Sequence, residues 1–317
     1  MSFAARRARL LCALVLAAAL SACVIGGPGT LPAPATQPAA PETPRPQSAA
    51  SAELSRYYMI VQNDQLTRGL LRRDGGGPDT PFTSDQLARN FERIVFFEEY
   101  RRSGGATLAG NETAGRLARW DGPVRVASEF GDSVPAEMRE KERRRVAAYA
   151  SRLGRITSHP VRPARGSPNF HVLFAGEDDD AFVESRLREI IPTISDADVR
   201  FFSTLPRSFY CLVIAVASER SPHIYDRAVA LIRTEQPSLM REACIHEELA
   251  QGLGLPNDSP EARPSIFNDD DEFALLTNHD EMLLKMLYDP RLKAGMTAED
   301  ARPITRIIAR ELMGQAL

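Results

Sequence analysis

Between Gly26 and about Ser51 the chain is mostly Pro, Ala, Gly, Thr and Ser, and no other stretch restricts its folding as much. With almost no bulky apolar side chain, this segment cannot bury enough surface to offset the entropy of ordering its backbone. It reads as a semi-extended spacer, so a folded core must come from the residues that follow. Those residues suffice for one large domain, or two lobes, with a sizeable core. No internal repeat is visible. Beyond the N-terminus, no stretch is apolar for long enough to span a bilayer.

Ahead of the spacer, Arg6, Arg7 and Arg9 precede an apolar run from Leu10 to Leu20, which ends in Leu20-Ser21-Ala22-Cys23. This order resembles the lipobox of bacterial lipoproteins. The small residues would fit the peptidase, and the Cys23 thiol would carry lipid as a thioether; the alternative is an ordinary signal peptide with a chance cysteine. Acyl chains of the palmitate type on Cys23 would give a stable membrane anchor. Val24 stands where an inner-membrane retention Asp would be, which favours the outer membrane, facing the periplasm. The expected division is a signal peptide over 1–22, a disordered tether over 23–53, an N-terminal helical extension over 54–81 and a globular domain over 82–317.

Lys and Arg number 39 against 42 Asp and Glu, a formal net charge of -3. That balance argues against nucleic acid, which needs a basic face. Apolar spacing predicts a helix over Ala52–Leu71 and another from the Thr83-Ser84-Asp85 cap through Tyr100, ended by Gly104-Gly105. Val124–Ala127 and Phe170–Phe174 read as strands, Pro135–Leu153 and Asp180–Ile191 as helices. Phe209–Ala217 and Tyr225–Arg233 are further apolar strands, and Pro237 opens a long helix. The alternation implies an α/β or α+β domain with a mixed sheet.

Within that last helix, His246-Glu247 looks like the start of an HExxH zinc motif, but the register fails. The second ligand must lie four residues on, on the same helix face, and that position is Ala250. Shifted by one, Glu247-Glu248-Leu249-Ala250-Gln251 puts polar groups at both ligand positions and Glu248 where a general base would sit. Gly254 and Asn257, followed by Asp258, fall at the remaining offsets of HExxHxxGxxH. Ser265-Ile266-Phe267 is similar to a Met-turn with Phe267 replacing methionine. Leu276-Thr277, Asp280, Leu284 and Leu287-Tyr288 resemble the helix that closes metzincin catalytic domains; Thr277 and Asp280 also have capping-box spacing. The resemblance implies a zincin/metzincin-like sheet, an active-site-type helix and a C-terminal helical subdomain.

A closer resemblance is to a lipoprotein family called domain of unknown function 2927. It is carried by Glu247 to Gln251, Leu255 to Asp258, Pro264 to Asp270 and Leu287 to Leu292, with Phe91, Ile94 and Arg119 to Val126 at its start. No activity attaches to that family.

The metzincin likeness implies a vestigial metal corner at Glu247, Gln251 and Asn257 or Asp258. Zinc favours imidazole and thiolate, and amides are poor ligands, so the expectation is no cofactor and a pseudoenzyme. In its place, a polar network would join Glu247 and Gln251 to backbone or to Asn257. The alternative is an active metallohydrolase or peptidase using zinc or another divalent cation, with Glu248 as base. As a non-catalytic module, the domain would take a peptide, a cell-wall component or an envelope protein. A sheet edge at Tyr225–Arg233 would be the docking strand, since metzincins add substrate as an extra strand.

His246 is expected to be exposed or structural and His279 to lie at the surface, and His159, His171 and His223 are isolated. Cys211 and Cys244 are the remaining thiols. In an oxidising periplasm they could pair, and a metzincin-like layout would then tie the site helix to the sheet; two buried free thiols remain the other possibility. The acidic runs 177–180 and 269–272 lack the pattern of a calcium loop, although 268–270 could rim a cleft.

Overall fold

The computed structural model describes residues 47–97, 115–268 and 270–315. Cys23, the signal peptide and most of the spacer lie outside them, as does the expected helix end at Tyr100 to Gly105. The first helix, α1 (Ala49–Thr67), begins inside the segment assigned to the tether. Composition misled there because the helix is fastened by polar groups. Ser48 Oγ accepts from Ser51 N at 3.1 Å, and Ser51 Oγ donates to Glu235 Oε1 at 2.7 Å. Tyr58 is fully buried and donates to the Arg207 carbonyl at 3.1 Å.

The next helix, α2 (Ser84–Phe96), starts with a capping box in which Thr83 and Gln86 satisfy each other's backbone N–H. Strands β1 (Arg119–Trp120) and β2 (Val124–Phe130) precede α3 (Ala136–Thr157), β3 (Val161–Pro163) and β4 (Phe170–Ala175). Then come α4 (Asp180–Ile190), α5 (Asp196–Ser203), β5 (Cys211–Ser218), β6 (Ser221–Arg233) and α6 (Ser238–Gly254). The chain closes with α7 (Asn278–Leu287) and α8 (Ala298–Leu312).

Strands β3, β2, β4 and β6 are parallel neighbours in that order, and β1 joins β6 in parallel at Ile224 and Tyr225. Only β5 is antiparallel, paired along β6 from Ser218 opposite Ser221 to Cys211 opposite Ile232. The expected docking edge at Tyr225–Arg233 is therefore corrected: β6 has neighbours on both sides, and β5 forms the sheet border among the described residues. Apolar content had no way to distinguish the two strands, because both are long and hydrophobic.

Every residue of β4 is buried, as expected of a strand covered on both faces. Phe170, Val172 and Phe174 join Ala228, Ala230 and Ile232 in a core with Ile245 and Leu249 of α6 and Leu153 of α3. On the other face, Leu173, Val229 and Leu231 pack with Val183 and Leu187 of α4 and Phe202 of α5. The result is a mixed α/β layering, with α2, α7 and α8 extending the first core at the C-terminal end. No helix among the described residues is long and apolar enough to cross a membrane.

Candidate functional site

Helix α6 leaves the sheet directly after β6, and its position is over-determined. Arg241 Nε donates to the fully buried Glu142 of α3 at 3.0 Å. Cys244 is disulfide-bonded to Cys211 of β5, with the two Cα atoms 5.9 Å apart. Gly252 is needed because a Cβ there would sit 2.5 Å from the Phe170 ring. The terminal carbonyls of the helix are taken by side chains: Trp120 Nε1 donates to Gly252 O at 2.8 Å and Tyr288 Oη to Leu253 O at 2.9 Å. The helix ends at Gly254, whose φ of +124° and whose approach to Ala118 O, 2.6 Å from a would-be Cβ, exclude a side chain.

This anchoring aims Glu247, Glu248 and Gln251 at a cavity of about 650 Å³. Residues Cys211 to Ala215 of β5 form one wall, and Pro256, Asp258 and Ile266 another. Gln65 of α1 and Asp271 close one part of it, joined by a bond from Gln65 Nε2 to Asp271 Oδ2 of 2.6 Å. Sequence reasoning did not find Gln65, and nothing could have pointed to it: its partner lies 206 residues away.

The structure brings together four of the five expected positions. Glu248 is 3% and Gln251 8% exposed, and Gln251 Nε2 lies 3.5 Å from Asp258 Oδ1. Asn257 is the exception. Its amide donates to the Arg93 carbonyl at 3.1 Å, toward α2, and it does not line the cavity. Asp258, and not Asn257, lines the cavity with Glu247, Glu248 and Gln251. The expected link from Glu247 and Gln251 to Asn257 is corrected accordingly.

The Ser265-Ile266-Phe267 turn lies under the site. Ile266 lines the cavity, while Phe267 is fully buried in the core. Asp280 fixes the turn by accepting from Ser265 Oγ at 2.5 Å and from Ile266 N at 3.1 Å. The Thr277–Asp280 capping box forms as its spacing suggested. Leu276 N, beside it, donates to His246 Nδ1 at 3.0 Å.

His246 points away from the cavity and stacks on Tyr149 at 4.0 Å between ring centroids. Burial, with Arg152 and Arg145 nearby, pushes its pKa down to about 3, so it is a neutral structural group. His279, expected at the surface, is fully buried. Its Nε2 lies 3.0 Å from Asn90 Nδ2, and its ring meets Phe82 edge-on. Its place in a first helical turn suggested exposure, but α2 packs over that turn. His171 pairs with Glu129 Oε1 at 2.6 Å and His159 with Gly122 O at 2.9 Å, both outside the cavity.

Ligand atoms of Cys211, Glu247 and Glu248 lie within 4.8 Å of one another. They do not make a zinc site. Cys211 is held in its disulfide and offers no thiolate, and no imidazole lines the cavity among the described residues. The cluster is a non-canonical one, and no catalytic step through a metal follows from it.

A family profile described as "Protein of unknown function (DUF2927)" matches residues 84–307. The chain belongs to that family. The DUF2927 segment contains the sheet, α6 and the Asp280 turn, but it starts after α1 and so excludes Gln65. No curated protein matches the chain, and no solved structure does.

Proposed function

We propose that this protein is a lipid-anchored envelope lipoprotein whose zincin-like domain binds an extended peptide without cleaving it. The carrying observation is the cavity between β5 and α6, which is lined by Glu247, Glu248, Gln251 and Asp258 and by no imidazole among the described residues. The strand order β3-β2-β4-β6-β5, with a single antiparallel strand at the border and α6 following its neighbour, supports the zincin-like reading. So do Gly254 at the helix end and the turn at Ser265 to Phe267 beneath the site. A border strand offers unpaired backbone groups to an incoming strand. The docking strand is β5 rather than β6.

Anchoring rests on the Leu20-Ser21-Ala22-Cys23 run and on Val24 after it, which favour acylation at Cys23 and the periplasmic face of the outer membrane. Elemental analysis of the untagged protein together with peptide binding tests the domain reading. Sub-stoichiometric metal with chelator-insensitive binding is expected. Stoichiometric zinc or manganese that disappears in Glu247→Ala would replace the module with a metallohydrolase. For the anchor, Cys23→Ser should release the protein from the membrane fraction, and retention there would refute acylation.

A further inference from the structure

Helix α1 is built inside out. Its buried residues are Ser51, Tyr58 and Gln65, one every seven positions along the inner face. Its outer face carries Met59, Ile60 and Leu66, which are 49%, 69% and 45% exposed. These are three of the four exposed large hydrophobic side chains among the described residues; the fourth, Ile307, stands apart on α8. Single apolar residues at a surface need no explanation, but a cluster on one helix does.

Specific bonds fix the rotation of this helix. Ser51 Oγ donates to Glu235 Oε1 at 2.7 Å, Tyr58 Oη to the Arg207 carbonyl at 3.1 Å and Gln65 Nε2 to Asp271 Oδ2 at 2.6 Å. Gln62 Oε1 and Gln65 Oε1, and Oε2 of Glu235, the partner of Ser51, are buried with no hydrogen-bond donor. In water this arrangement loses on both faces, with unmet polar bonds inside and wet apolar surface outside. It becomes favourable where the outer face meets an apolar medium.

We propose that the outer face of α1 rests in the interface of a phospholipid bilayer, so that the domain lies against the membrane. This relies on the reading of Cys23 as the lipid anchor. Chain length and direction select this occupant. The roughly 25 residues from Cys23 to Ser48 reach at most about 85 Å when fully extended. They enter the domain at the N-terminus of α1, which is therefore the first described element after the anchor. Three apolar side chains give little membrane affinity alone, but a second attachment on an anchored chain is intramolecular and needs little. The patch itself is uncharged, with Asn63 one turn from both Ile60 and Leu66. Exposed Arg56 lies one turn before it and Arg68, paired with Asp64 at 3.6 Å, just after. Both are placed to meet lipid phosphates while their stems lie along the apolar surface.

The test uses the acylated full chain reconstituted into vesicles of phosphatidylethanolamine and phosphatidylglycerol. A nitrobenzoxadiazole label is attached at Ile60→Cys, or at Ile307→Cys as a control. Flotation first reads the anchor. The label at position 60 should then brighten at least threefold over the same chain carrying Cys23→Ser and be quenched by doxyl lipids, while the label at 307 does neither. Met59→Ser with Leu66→Ser, both at exposed positions, should at least halve the brightening and leave flotation unchanged. In the unmodified chain, amide exchange over 56–68 should be at least threefold slower on vesicles than in Cys23→Ser protein in solution, with 298–312 unchanged.

Failure to float would refute the anchor and this placement with it. Flotation with equal signals at 60 and 307 would keep the anchor and overturn the docking. Brightening at 60 in the Cys23→Ser protein that grows with its concentration, without vesicles, would give the face to a second copy and overturn it too.

Discussion

Gln251 Nε2 lies 3.5 Å from Asp258 Oδ1, while the adjacent Asn257 amide donates 3.1 Å away to the Arg93 carbonyl on α2. Of the two residues that the sequence pattern left open, Asp258 lines the cavity and Asn257 does not. A zinc site engineered here should obey that geometry. Glu247→His combined with Gln251→His should bind zinc through two imidazoles and Asp258. Adding Asp258→Ala should weaken zinc about tenfold or more, whereas adding Asn257→Ala should change it little. Competition against a chromogenic chelator reads both; equal effects of the two alanines would refute the assignment.

Asp280 is fully buried and accepts from Ser265 Oγ, Ile266 N and Thr277 N, the last at 2.9 Å. An amide in its place turns an acceptor into a donor facing donors. Asp280→Asn should cost about 2–4 kcal/mol, the range for breaking a buried charged hydrogen-bond network. Urea unfolding measures it, and a loss under 1 kcal/mol, on the order of a single neutral bond, would show that the turn is held by other contacts.

The disulfide joins residues 33 apart in sequence. Loop-closure entropy for that length gives about 4 kcal/mol of stabilisation in the chain-entropy model. Cys211→Ala with Cys244→Ala should lower the denaturant midpoint correspondingly, and added reductant should shift the unmodified protein but not the double variant.

His246 has a folded pKa near 3 against 6.5 in the unfolded chain. Between those values the unfolded state holds a proton that the folded state refuses, so stability falls as pH drops below 6.5. The slope contributed is up to about 1.4 kcal/mol per pH unit. His246→Asn keeps an acceptor for Leu276 N and removes the titration. It should flatten the decline between pH 6.5 and 5, a window above the ordinary carboxylate range. An unchanged slope in urea unfolding would show that other groups set it.

Much of this architecture was legible because it is local. Thr83 with Gln86 and Thr277 with Asp280 form the capping boxes that their spacing announced. Gly254, a residue suited to a positive φ, ends α6. Three misreadings are non-local. Which of two apolar strands lies at the border depends on the neighbours of β6. Whether His279 is covered depends on α2, and whether Asn257 or Asp258 turns inward depends on the Arg93 carbonyl. The short α5, which supplies Asp198 to the cleft, gave no periodic signal in its eight residues. Only the first turn of α1 hid behind the composition of the spacer, since Ser48 and Ser51 act by hydrogen bonds rather than by apolar area.

The placement of α1 also redefines where the working unit begins. A protein trimmed to the family boundary at residue 84 would lose Gln65, and with it the donor to Asp271 and part of the cleft's own enclosure. Such a truncation would present a wider, wetter trough than the intact molecule. Ligand screens run on it would be screening a different receptor.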